Sequence, residues 1–225
     1  MFAKALEATR TYQTAALAAL RARLETRRID SEQRAAHGFA WVATSIAALE
    51  ALAGWMERNG NTNPVDEMIA RLAFAETISQ LVGGLPMGQN ELFRPIDLGL
   101  SEAARELEAA CSDVLCSDHA TTRAALAEAL ASGQWPSESF HDHDLDAIRE
   151  QYRRFTDGEI IPNAHQWHLA NDLIPDGTVA QMAELGTFGV CIPEEFGGLG
   201  LGKLVMCLVT EELSRGWIGA GSLGT

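Results

Sequence analysis

The sequence predicts an all-α protein in two parts, a helical bundle followed by a smaller helical domain. Three observations lead there. Ala, Leu, Glu and Arg dominate while the 225 residues include only two tyrosines, a balance that favours helix over sheet. Strict alternation of apolar and polar residues never runs beyond a few positions. Apolar residues recur instead at intervals of three and four.

The first helix is expected over about residues 3–27, with Leu6, Gln13, Leu17, Leu20 and Leu24 on one stripe. Asp30 reads as the next N-cap, with Gln33 closing a capping box. The second helix carries Ala35, Phe39, Val42, Ile46, Leu49 and Met56 on one face, with Trp41 and Trp55 marking a second face for burial. Asn59-Gly60 stops it, and Asn63-Pro64 starts the third helix, an N-cap followed by proline at the first helical position. That helix holds Met68, Ile69, Leu72 and Val82 and ends at Gly83-Gly84. Residues 83–100 read as irregular. A fourth helix begins at Ser101 with Leu107, Cys111 and Val114, and a short one covers about Thr121–Leu130. The predicted bundle, residues 1–130, has a core of Leu17, Leu20, Leu24, Phe39, Val42, Ile46, Leu49 and Leu72.

Residues 131–144 hold turn formers and no period, so they read as a linker. Leu145, Ile148, Tyr152 and Phe155 then start an amphipathic helix that reaches Pro162 or continues past a proline kink through Trp167. Pro175 opens another helix, closed by Leu185-Gly186. Val190-Cys191-Ile192-Pro193 reads as extended, Gly197–Gly200 as a tight loop, and about Leu201–Trp217 as the last helix.

With 47% hydrophobic and 21% charged residues, the chain can bury a core, so disorder is excluded as its main state. The formal net charge of −14 repels phosphate and argues against nucleic acid and anionic membranes as partners. No apolar run is read as approaching the ~18 residues that span a bilayer, and Met1-Phe2-Ala3-Lys4 opens no signal peptide. Four cysteines do not make a disulfide scaffold, so the expectation is a cytoplasmic protein with free thiols.

Several constellations have the right residue types for chemistry but the wrong spacing. Cys111, Cys116 and His119 offer three ligands where a structural zinc takes four. His141-Asp142-His143-Asp144 reads as a solvated turn that caps the following helix, and His165 with His168 as helix surface. There is no metal site on this reading. Gly197-Gly198-Leu199-Gly200 lacks the preceding strand of a dinucleotide loop. Glu194-Glu195 and Glu211-Glu212 are neighbours in sequence, and adjacent residues point apart.

One stretch is more specific. Ile160-Ile161-Pro162-Asn163-Ala164, Trp167, Pro175 and Glu184–Val190 lead into Ile192-Pro193-Glu194-Glu195-Phe196-Gly197-Gly198-Leu199-Gly200, closed by Val209-Thr210-Glu211-Glu212-Leu213-Ser214. From about Phe155 onward the chain thereby resembles the N-terminal helical domain of acyl-CoA dehydrogenases, and residues 145–225 read as that domain, incomplete. The resemblance implies an FAD flavoprotein in which a glutamate takes the α-proton of an acyl-CoA thioester while hydride leaves Cβ for the flavin. It further implies electron transfer to an electron-transferring flavoprotein and a homo-oligomer. A β-barrel and a second helical domain normally follow, carrying the base and most flavin contacts. No residue here is therefore assigned the catalytic role, and the base is expected beyond Thr225.

By the same resemblance, Gly221, Ser222 and Thr225 fall where the substrate's acyl end lies. Gln80, Gly83 and Gly84, with Glu91 and Arg94 after them, are similar to the flavin-touching segment of the family's C-terminal domain, although Pro86 intrudes. Residues 1–130 then read as a degenerate copy of that domain. Such an extension looks like the subgroup that oxidises (2S)-methylsuccinyl-CoA to mesaconyl-CoA. The competing reading is a non-enzymatic helical interaction module that keeps the fold.

Overall fold

A computed structural model describes residues 2–224. The chain divides into two units, Met1–Ser137 and Glu138–Thr225, each with its own apolar core.

In the first unit, α1 (Phe2–Leu24) and α2 (Gln33–Arg58) run antiparallel. Arg10 pairs with Glu50 near one end, and Arg23 and Arg27 pair with Glu32 at the other. α3 (Pro64–Gly83) begins as expected: Asn63 Oδ1 accepts from the Val65 N–H (2.9 Å), and Pro64 opens the first turn. α4 (Ser101–Ala110) packs on α1 and α3, which also meets α5 (Ser112–Leu115) and α6 (His119–Ala131). Leu20, Val42, Ile46, Leu49 and Leu72 are buried as predicted, whereas Leu17, Leu24 and Phe39 are only half-buried.

Several expectations are corrected. The buried stripe of α1 is Ala5, Leu6, Thr9, Tyr12, Ala16 and Leu20. It is rotated away from Gln13 and Leu17, because small residues let α1 approach its neighbours closely, and Tyr12 spans the gap to donate to the Leu81 carbonyl (3.3 Å). Asp30 is not an N-cap: it lies in a 3₁₀ turn (Ile29–Ser31) and pairs with Arg28, while Glu32 precedes α2 without a side-chain cap. Trp41 is 38% exposed, so no second face of α2 is buried there. α2 is also long and apolar enough, by length and composition, to cross a bilayer. Alanines supply much of that hydropathy, and its large apolar side chains Val42, Ile46, Leu49 and Met56 belong to the buried face. Val114 stands beyond a break in the helix at Cys111.

The segment read as irregular contains a hairpin, β1 (Leu85–Gly88) against β2 (Glu91–Phe93), pairing Leu85 with Phe93 and Pro86 with Leu92. It is too short for a period-two signal. Its anchor is Phe93, fully buried beside Gly38 of α2; a Cβ on Gly38 would stand 2.1 Å from the ring.

In the second unit, Asp142 caps α7 (His143–Phe155) by accepting from the Asp144 and Leu145 N–H groups. Of the two expected courses, the helix takes the second and continues past Pro162 through Trp167, widening into a π turn (Thr156–Ile160) before α8 (Ile161–Ala170). Pro162 has no N–H to return to the carbonyl four residues back, and the wider turn precedes it. α9 (Asp176–Glu184) leads into a 3₁₀ turn at Thr187–Gly189. Val190 then adopts helical dihedrals, so Val190–Pro193 is a turn rather than an extended segment. Gly197 (φ 84°) and Gly200 (φ 62°) make the tight loop before α10 (Gly202–Gly216) and α11 (Ile218–Gly221).

α10 is locked to α7 by a buried charge. The Glu212 side chain is 3% exposed and accepts from Arg153 (2.8 Å) and Arg215 (3.1 Å). Arg153 also reaches Glu138 (2.6 Å), and Arg215 reaches Asp157 in the π turn (2.7 Å). Burial pushes the Glu212 carboxyl up, but the two guanidinium groups outweigh it and hold the pKa below its ordinary value. On the same helix, Glu211 is exposed.

Two outcomes are expected. Ile46→Ala should lower unfolding stability by about 2–5 kcal/mol, read by denaturant titration; an unchanged midpoint would take Ile46 out of the core. Glu212→Ala should cost about 3–5 kcal/mol by leaving two arginines without their shared partner, while Glu211→Ala stays within about 0.5 kcal/mol. Because the folded-state pKa of Glu212 is depressed, its contribution is fully present above the ordinary glutamate value of 4.5 and lost as pH falls through the lowered one. Acid titration of wild type against Glu212→Gln measures that difference.

Candidate functional site

The residues predicted for the substrate occupy the end of the second unit. Gly221 is buried in α11, where an added Cβ would lie 1.9 Å from Ser214 Oγ and 3.0 Å from the Thr210 carbonyl. Its missing side chain therefore lets α11 lie on α10. Ser222 is exposed, and its hydroxyl donates to the Ile218 carbonyl (2.9 Å). Thr225 lies outside the described residues.

The residues predicted for the cofactor end α3 in the first unit. The Gln80 carbonyl accepts from the Gly84 N–H (2.8 Å), and Gly84 turns the chain at φ 148° against Leu92. Gly83 differs. It is helical with ordinary dihedrals, and nothing lies within 4 Å of where its Cβ would be. It borders an open groove of about 550 Å³ also lined by Arg94, Ser101, Arg105 and Glu108. Of the two residues that follow in the motif, Arg94 reaches this groove, while Glu91 faces Arg34 (3.7 Å). Gln80 and Gly84 do not line that groove, so the motif disperses over a helix end and a hairpin.

Among the described residues, no three His, Cys, Asp or Glu side chains gather as a metal would need. Cys111 is buried, and burial pushes its thiol pKa up. The His119 ring contacts the Leu115 carbonyl and the Ser117 hydroxyl, and Cys116 is exposed. His165 and His168 are exposed.

Sequence reasoning missed the Arg153–Glu212–Arg215 cluster, the most tightly built charged group in the second unit. The adjacent pair Glu211-Glu212 was its only signal. Tyr152 was seen only as an apolar position; its hydroxyl contacts the Leu185 carbonyl (3.0 Å) and the Thr187 hydroxyl (3.2 Å), tying α7 to the turn after α9. Both are scaffold. They shape the unit and present no group poised for proton transfer.

If Gly221 serves packing, Gly221→Ala should lower the thermal midpoint of the second unit measurably. Gly83→Ala, with open space ahead of it, should raise stability or leave it unchanged, by up to about 1 kcal/mol.

Comparison with known proteins fits this division. Residues 142–225 match the model of the acyl-CoA dehydrogenase N-terminal domain. A (2S)-methylsuccinyl-CoA dehydrogenase of Cereibacter sphaeroides is 39% identical over 90% of this chain, which spans 38% of that relative's length. A glutaryl-CoA dehydrogenase of Desulfococcus multivorans is 41% identical over 32% of the chain and 19% of its own length. A mitochondrial isovaleryl-CoA dehydrogenase of Arabidopsis thaliana is 36% identical over 34% and 19% respectively. The chain is thus mostly helical, its residues 142–225 match the acyl-CoA dehydrogenase N-terminal domain, and its likeness to one such dehydrogenase extends over 90% of its length.

Proposed function

We propose that this chain forms the N-terminal part of an FAD-dependent acyl-CoA dehydrogenase that oxidises (2S)-methylsuccinyl-CoA to mesaconyl-CoA in the cytoplasm. One observation carries the substrate. Likeness to the methylsuccinyl-CoA enzyme extends over 90% of the chain, whereas the glutaryl- and isovaleryl-CoA enzymes match over about a third. The first unit is therefore shared with a relative of that stated specificity.

Within this reading the residues have modest parts. Gly221 holds α11 against α10, and in this reading the exposed Ser222 stands beside the substrate's acyl end, with Thr225 as a second polar contact. FAD, when bound, supplies the hydride acceptor. The fit of this chain to it is limited to an edge: the open face of Gly83 beside Arg94 and Arg105 suits an anionic group, with Gln80 and Gly84 shaping the helix end. The base, the rest of the flavin site and the electron-transferring flavoprotein's docking surface belong to the remainder of a longer polypeptide, which assembles as a homo-oligomer.

The test compares two proteins. The 225-residue chain should remain colourless on FAD titration and inactive. A polypeptide of the relative's full length should bind flavin and oxidise methylsuccinyl-CoA in preference to straight-chain acyl-CoAs. In that longer enzyme Ser222→Leu should raise KM or abolish turnover with FAD retained. Flavin binding and turnover by the short chain would overturn the reading. A long chain with neither would leave the helical interaction module.

A further inference from the structure

Residues 131–144 have the composition of a flexible linker, and the structure ties them down. On the first unit's side, Asn63 Nδ2 donates to the Trp135 carbonyl (3.0 Å) and the Ser137 N–H donates to Asp66 Oδ1 (2.8 Å). Asp66 is 1% exposed, and its Oδ2 has no partner among the described residues. The Ser137 N–H therefore matters out of proportion: peeling the segment away would leave a buried carboxylate with neither oxygen satisfied.

On the second unit's side the chain is held again within one residue. Arg153 pairs with the Glu138 carboxylate (2.6 Å) and Arg149 donates to the Glu138 carbonyl. The Ser139 hydroxyl and the Phe140 N–H both donate to Asp146 (2.8 and 3.0 Å). The Arg149 guanidinium lies 4.0 Å over the Phe140 ring, a cation–π contact.

We propose that this segment is a strap clamped separately by each unit, so that bending between the units is confined to the Ser137–Glu138 junction. A fourteen-residue tether would let the units reorient freely. A strap clamped on both sides leaves only the backbone of one junction to turn. The inference concerns chain mechanics and does not depend on the proposed activity.

Residue-resolved amide hydrogen exchange on the full 225-residue chain tests it, because the Ser137 and Phe140 N–H groups stand on opposite sides of the junction and each donates to a carboxylate, Asp66 and Asp146 respectively. In a tether both amides exchange as in an open chain. Wild type should protect both. Asn63→Ser, which keeps a capping oxygen but loses the donor to the Trp135 carbonyl, and Asp66→Ala should each speed exchange at Ser137 by about fivefold to tenfold, the worth of one hydrogen bond, and leave Phe140 protected. Asp146→Ala should do the reverse. Circular dichroism confirms that each variant stays folded, and Asn63→Ser serves if Asp66→Ala does not. Unprotected amides at both positions in wild type, variants that free both together, or variants that free neither would each overturn the strap.

Discussion

A carboxylate with 3% of its side chain open to water has to be paired, and Glu212 is paired twice. Removing a charge from water costs several kcal/mol, recovered only where geometry and hydrogen bonding are good. That requirement orders much of the second unit. Arg153 must sit on the face of α7 that meets α10, which sets the rotation of α7. Arg215, one turn along α10, must turn back to the same carboxylate and then has its other nitrogen free for Asp157. The π turn is thereby fastened to α10 at the point where α7 gives way to α8. Arg153 also holds Glu138, so one guanidinium joins the helix pair to the residue at which the unit begins.

Close approach is the second constraint, and glycine provides it where a side chain must pass. Phe93 fills the space left by Gly38, and through it the small hairpin is anchored to the middle of α2. Gly221 plays the same part for α11 on α10. In α1 the work is done by Ala5, Thr9 and Ala16. A buried surface built on small residues has a weak hydropathy signal, yet it lets backbones approach closely enough to gain dispersion contacts.

The functional picture follows from what the chain holds and what it lacks. Residues 142–225 of the second unit match the acyl-CoA dehydrogenase N-terminal domain, and the Arg153–Glu212–Arg215 cluster there ties helices together. Leu173, Phe196 and Ile218 are largely exposed in that unit, an uneven distribution for a surface that faces only water. The first unit offers an open groove bordered by Arg94 and Arg105. The chain spans 38% of the length of the methylsuccinyl-CoA dehydrogenase it resembles.

By itself the sequence determined the helical class, most helix positions, the Asn63-Pro64 start of α3, a cap on α7 from the His141–Asp144 turn and the family likeness of the last third. These depend on local rules: spacing of apolar residues, capping chemistry, and a glycine-rich string with few alternative conformations. Tertiary structure alone decided which face of α1 is buried, that residues 85–93 pair as strands, that the helix break falls in a π turn before Pro162, and that Glu212 rather than Glu211 is the buried acid. It also showed that Gln80, Gly83 and Gly84 end a helix, with only Gly83 placed on a groove. Each of these is settled by partners distant in sequence. Phe93 needs Gly38, Tyr12 needs Leu81, and Glu212 needs Arg153. Burial energy is earned between such partners, so a pattern read along one helix finds a stripe but not which neighbour will come close enough to use it.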